Sequence, residues 1–338
     1  MGELEPLLAE PGVTDVLVNS PREVWVDRGA GLERAPVSLG DEAAVRRLAQ
    51  RLVGAAGRRL DDACPFADAV LDNGVRVHAV LAPVAVRGTA LSLRVPRRTR
   101  FTVADLVLTG TVPPDGAPWL HALVDARLAF LVSGGAGTGK TTLLATLLGL
   151  VGPDERIVLV EDTRELDPDH PHVVRLEARP PNVEGAGAIA VRDLVRQALR
   201  MRPDRLVVGE VRGGEVIDLL AALNTGHRGG GGTVHANEAA AVPARLEALA
   251  AAAGMGRSAL HAQLAAGIEA VVHLEREGAE RRVTGIAVPR RGPDGIVALV
   301  RAVGFRGQRV LVGPAYEELG ALLEARSVAV PEPRPEAR

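Results

Sequence analysis

Apolar residues recur with a period of two in "VTDVLVNS" and "EVWVDR", which predicts two short strands joined through the Asn-Ser-Pro turn. In "DEAAVRRLAQRLVGAAG" the period lengthens, and Val45, Leu48, Ala49 and Leu52 fall on one face of a helix. "GVRVHAVLAPVAV" and "TALSLRV" return to strand character, with alternation at Val75, Val77 and Ala79. Residues 1–94 therefore predict a small N-terminal α/β domain. The next stretch, "PRRTRFTVADLVLTGTVPPDGAP", is rich in Pro, Gly and Arg, and residues 95–117 are expected to be a linker or hinge.

From residue 118 the pattern changes. "LAFLVS", "RIVLVED", "RLVVGE" and "GGTVHA" are short apolar runs that end in polar or glycine-rich sequence, with helical stretches between them. Such alternation predicts a mainly parallel sheet covered on both faces, over residues 118–290. "AVRDLVRQALRM" is amphipathic, with Val191, Leu194, Val195, Ala198 and Leu199 on its buried side. On its other side Arg192, Arg196 and Arg200 recur every four residues, as a solvated face or as a surface for an acidic neighbour. Residues 291–328 are expected to form a C-terminal appendage. Residues 329–338, within "VPEPRPEAR", are expected to be a solvated tail.

Composition narrows the function classes. Aromatic residues make up 2% of the 338, so the core must be built from Ala, Val and Leu. The formal net charge of −2 gives no overall positive field for nucleic acid. The one cysteine, Cys64, excludes a disulfide within the chain and a four-cysteine zinc site. The N-terminus lacks the basic and apolar regions of a signal peptide, and no uncharged apolar run reaches the roughly 18 residues of a membrane span. A cytoplasmic protein is expected, without direct membrane insertion.

Of 40 basic residues, all but Lys140 are arginine. That lysine stands in "GGAGTGKT", which satisfies G-x-x-x-x-G-K-[ST] through Gly134, Gly139, Lys140 and Thr141. A strand precedes the loop and a helix follows it. In that context the backbone from Gly134 through Gly135, Ala136, Gly137, Thr138 and Gly139, with Thr142 beyond, can curl around a β-phosphate. Lys140 reaches the β and γ phosphates of ATP as a compact point charge, and Thr141 offers its hydroxyl to Mg²⁺. Hydrolysis further needs an oriented water. Glu161, at the end of "RIVLVED", and Glu210, in "RLVVGE", compete for that role, while Glu161 or Asp162 could instead cap the following turn. Gly209 stands where a metal-binding Asp is common, so Glu210 would act on the metal through a water or as the base. In "NTGHRGGGGTVHAN", His227 and His235 flank the glycine run Gly229–Gly232, read as a flexible loop beside the nucleotide.

"SGGAGTGKTT", "VEDTREL", "LRMRPDRLVVGEVRGGE" and "TGHRGGGGTVHAN" resemble, in order, the Walker A, Asp, variant Walker B and His boxes of the type II/type IV secretion ATPase superfamily. The segment "RLEARPPNVEGAGAIAVRDLVRQALRMRPDRLVVGEVRGGE" looks like its tight-adherence (Flp) pilus branch, a relative of the conjugal-transfer ATPases. The resemblance covers about residues 70–290. It implies a RecA-like P-loop NTPase domain behind a smaller α/β domain, and a homohexameric, Mg²⁺-dependent ATPase. Such a ring works at the inner face of the cytoplasmic membrane, with inner-membrane platform proteins as partners and no nucleic acid. It also implies that Arg94, in "TALSLRVPRR", reaches the nucleotide, and that Glu210, Glu161, Lys140 and His235 are catalytic. Arg228 and Gly230 replace the usual acid and serine of the His box, and Arg164 replaces a small residue of the Asp box. A low-turnover regulatory nucleotide module and a nucleic-acid motor are the competing functions.

Overall fold

The computed structural model describes residues 2–29, 31–95, 100–179, 181, 186–278, 280–307 and 309–332. The chain forms two compact units, Met1–Thr99 and Arg100–Arg338.

In the first unit the short helix α1 (Glu5–Ala9) precedes strands β1 (Asp15–Ser20), β2 (Glu23–Asp27) and β3 (Leu32–Ala35). Helix α2 (Glu42–Ala55) and strands β4 (Phe66–Val70), β5 (Arg76–Val80) and β6 (Ala90–Arg94) follow. The sheet runs β3-β2-β1-β6-β5-β4, with every neighbour antiparallel. Val16, Val18, Val24, Val26, Val77, Ala79, Leu91 and Leu93 point to one face, where α2 covers them with Val45, Leu48, Ala49 and Leu52. Asp41 starts that helix by accepting the amide of Ala44 at 2.8 Å. The hydrophobic pattern missed β3 and β4. Both are edge strands held by backbone pairing, and Leu32 and Phe66 are exposed.

The second unit opens with helices α3 (Val103–Leu108) and α4 (Ala117–Asp125), then strand β7 (Phe130–Gly134) and helix α5 (Lys140–Leu148). After β8 (Ile157–Glu161) and β9 (Val173–Glu177) come α6 (Val191–Ala198), β10 (Arg205–Val211), α7 (Glu215–Asn224) and β11 (Gly231–His235). Helices α8 (Val242–Ala252) and α9 (Arg257–Gly267) lead to strands β12 (Ala270–Glu277), β13 (Glu280–Arg291), β14 (Val297–Arg306) and β15 (Arg309–Val312). Helix α10 (Tyr316–Glu324) closes the unit.

Among the described residues its nine strands run β15-β14-β13-β12-β7-β11-β10-β8-β9. The six from β12 to β9 are parallel, and β13, β14 and β15 continue antiparallel. Successive residues of each buried strand serve opposite faces. Phe130, Val132, Ile157 and Leu159 join a core with α4, α5 and α10, while Leu131, Val158, Val160 and Leu206 join another with α6 to α9. The chain is thus α/β, with a mainly parallel mixed sheet covered on both sides.

Two sequence expectations change here. Residues 95–117 were expected to be a linker, but from Arg100 onward they are folded. Thr102 and Asp105 form a reciprocal capping box, Val103 and Leu106 are buried, and the carbonyl of Thr111 accepts the amide of Val283 at 2.8 Å. A six-residue helix with two buried positions is too short for its period to stand out from the Pro and Gly around it. Residues 96–99 lie outside the described residues. Likewise 291–328 is no appendage: β14 pairs with β13 along its length, and Val303, Leu319 and Leu323 sit in the core that holds β7. Of the expected tail, Val330 packs on that core through Gly320, and residues 333–338 lie outside the described residues.

Candidate active site

The carboxyl ends of β7, β8, β10 and β11 lie side by side, because parallel pairing aligns them. All five residues of β7 are buried, and the strand delivers the chain at Gly134. There a Cβ would stand 2.6 Å from both the Leu274 carbonyl oxygen and Thr138 Oγ1, so only glycine fits. Gly137 and Gly139 have φ of +69° and +93°, the left-handed turns that bring the chain round into α5. The amides at the start of that helix lack intrahelical partners and face the loop. Lys140 is 8% exposed, and its Nζ donates to the Gly135 carbonyl at 2.8 Å. Burial pushes its pKa below the ordinary lysine value, an effect opposed by Glu210 and Glu165 and reinforced by Arg212. Thr141 Oγ1 donates to Glu165 Oε2 at 3.4 Å. Ala136 and Thr142 are exposed on the loop and the first turn of α5.

The two candidate carboxylates have different surroundings. Glu161, at the end of β8, is 4% exposed, and its Oε1 accepts the amides of Glu165 and Leu166, each at 2.9 Å. Burial raises its pKa, while those two amides pull it down. A Cβ on Gly209 would meet Glu161 Cγ at 2.7 Å. That explains the missing aspartate: the side chain of Glu161 fills the space a residue at 209 would need. Glu210 is more open, and its Oε2 accepts from Arg212 at 2.5 Å. Arg212 also donates to Asp162 at 2.8 Å, and Glu215 Oε1 accepts the amides of Arg212 and Gly213 at 2.6 and 2.7 Å. Glu210, Arg212, Asp162 and Glu215 line a cleft of about 390 Å³ that extends to Val191 and Arg192. Sequence reasoning does not single out Arg212, which lies just past the end of β10 and reaches back to Glu210.

The histidines separate. His235 ends β11 directly opposite Gly134, beside the phosphate-type loop. His227 lies before the other end of the same strand, where its amide and Nδ1 face the Ala222 carbonyl at 3.4 and 3.2 Å. Five strand residues at about 3.3 Å each stand between those ends. The glycine run is therefore not a flexible loop beside the loop of Lys140. Gly230, Gly231 and Gly232 are buried, and Cβ atoms there would come 2.4, 1.8 and 2.3 Å from the backbone oxygens of Leu206, Phe130 and Val208. A Cβ on Gly229 would meet the guanidinium of Arg205 at 2.9 Å, which is buried against Glu155. These glycines let β11 enter between β7 and β10.

Arg94 and Arg76 belong to the first unit, paired across β6 and β5, and Arg94 donates to Asp15 at 3.1 Å. Arg192 and Arg196 both pair with Asp218 of α7, at 2.6 and 2.8 Å, so their partner lies within the chain. Among the described residues no three acidic, His or Cys side chains cluster as a metal site. Mg²⁺ does not require one, since it is commonly held by one or two protein oxygens together with substrate phosphate.

A mixed α/β sheet with a glycine-bounded loop opening a helix at its carboxyl edge, following a separate antiparallel unit in the chain, is the two-unit fold of the secretion ATPases. The chain belongs to the family described as Type II/IV secretion system protein, whose pattern matches residues 1–294. It is 59% identical over 305 residues to a Mycobacterium tuberculosis protein named for conjugal transfer, covering 88% of this chain and 87% of that one. It is 33% identical over 315 residues to the type IV secretion system protein PtlH of Bordetella pertussis, covering 84% and 92%. The pilus retraction motor PilT, solved with ADP, shares the fold at 19% identity, with a TM-score of 0.61 over 96% of this chain and 86% of that one.

Proposed function

We propose that this protein is a motor ATPase of type II/IV secretion machinery, a homohexamer at the inner face of the cytoplasmic membrane. It serves a tight-adherence-type pilus or a conjugal-transfer apparatus through inner-membrane platform proteins. The observation that carries this is the meeting of the Lys140 loop, Glu161, Glu210 and His235 at one edge of the sheet. Family membership and the names of the relatives support the cellular role.

In this reading the amides of residues 135–139 and Lys140 hold the β and γ phosphates of ATP. Thr141, with phosphate oxygens, would hold Mg²⁺, which supplies charge neutralisation when bound. Glu210, the more open carboxylate, orients the attacking water. Glu161 is held rigid by two amides and by the absence of a side chain at 209, and His235 stands next to the loop.

Phosphate release with Mg²⁺-ATP, followed against protein concentration with mass by light scattering, tests the motor. Activity should rise with the six-chain mass, and Lys140→Ala and Glu210→Gln should each lower it about a hundredfold or more. A second reading, a low-turnover regulatory module, is favoured by one contact, the hold of Arg212 on Glu210. ATP binding by a six-chain assembly with no more turnover than Glu210→Gln would establish that reading instead.

A further inference from the structure

The hairpin of β12 and β13 sets two arginines against the loop of Lys140. Arg276 and Arg281 stand directly opposite each other in the antiparallel register. Arg281 Nε donates to the carbonyl oxygen of Gly137 at 3.0 Å, and its Cδ lies 3.4 Å from where a Cβ on Gly139 would stand. Arg276 Nε donates to the Gly278 carbonyl at 2.8 Å, and one of its terminal nitrogens lies 3.3 Å from the corresponding point on Gly137. Both left-handed glycines of the loop therefore carry an arginine on the outer side.

We propose that Arg281 is a positioning residue for the nucleotide β-phosphate, acting through the peptide that joins Gly137 to Thr138. This rests on the nucleotide-binding reading of the loop. A trans peptide is planar, and its C=O and N–H point in opposite directions. Arg281 holds the Gly137 carbonyl outward, toward the hairpin, so the amide of Thr138 is turned the other way, into the cradle. A charged donor on that carbonyl also draws electron density through the peptide and makes the Thr138 amide a stronger donor. The conformation is otherwise weakly determined, because glycine at 137 can rotate freely. The hairpin thus supplies from outside the rigidity that the glycine removes. Arg276, on the facing strand, adds a second positive charge at the same turn.

Calorimetric titration with ADP and with AMP separates this from a general structural role, since AMP lacks the β-phosphate. Arg281→Ala should weaken ADP binding about tenfold and leave AMP binding within about twofold, with the melting curve of the free protein unchanged. Arg282→Gln, on the other face of the strand and paired with Glu280, should behave as the original protein. If Arg281→Ala does not fold, Arg281→Lys, which keeps the charge without the Nε–H, should show a smaller loss with the same preference for ADP. Equal losses for ADP and AMP, or no loss for either, would overturn the assignment of Arg281. Failure of the unaltered protein to bind ADP at all would instead overturn the nucleotide reading beneath it.

Discussion

Glu161 and Glu210 are one strand apart, yet their surroundings assign them different work. Glu161 is buried with two amides on one oxygen, whereas Glu210 faces a cleft and the guanidinium of Arg212. Burial favours the uncharged carboxyl, so folded Glu161 keeps its proton to higher pH than the unfolded chain, whose reference value is 4.5. The stability it supports is full below that value and declines as pH rises through the raised one. Glu161→Gln lacks this titration. Denaturation of both forms over about pH 4 to 8 should show the variant gaining relative stability with rising pH, then levelling off. A difference that stays flat across the range would mean that folding leaves the Glu161 carboxyl unshifted. Lys140, Thr141 and the loop glycines could be read from spacing because their chemistry is local in sequence. Arg281 could not, since it lies 144 positions from the carbonyl it holds, and Gly209 could be read only as a lost aspartate until its neighbour was placed.

At the level of elements, the least legible feature was the run Gly229–Gly232. Four glycines in sequence suggest freedom, but in a parallel sheet they also permit strands to approach where side chains would collide. The second holds here. Gly231→Ala would set a methyl 1.8 Å from the Phe130 carbonyl, a backbone obstacle that cannot swing aside. We expect loss of more than about 4 kcal/mol, or failure to fold, in urea denaturation. A loss under about 0.5 kcal/mol would contradict this packing. Strands β7, β8 and β10 were legible because each is a largely apolar run of five to seven residues buried on both sides. Strands β3, β4 and β9 were not, because edge strands need little apolar sequence and are held by backbone pairing.

Across the whole molecule, the sheet extends beyond the family match, which ends at residue 294. Val303, Leu319 and Leu323 lie past that point and are fully buried. At about 1.5–3 kcal/mol each, they approach the entire net stability of about 5–15 kcal/mol typical of a domain. A chain ended at residue 294 should therefore be insoluble or lack cooperative melting by circular dichroism, and a truncated form that melts like the full chain would show β14 and α10 to be dispensable. Their place in the fold was hidden in the sequence because they carry no site chemistry and follow the last recognisable motif. Among the described residues no helix is long and apolar enough to cross a membrane. The chain's near-exclusive use of arginine has one further consequence. Apart from the terminal amine, the molecule owns a single acylatable nitrogen, at Lys140. An amine-selective label therefore has one side-chain address per chain, already at the loop, and its yield reports how accessible that loop is without any engineered handle.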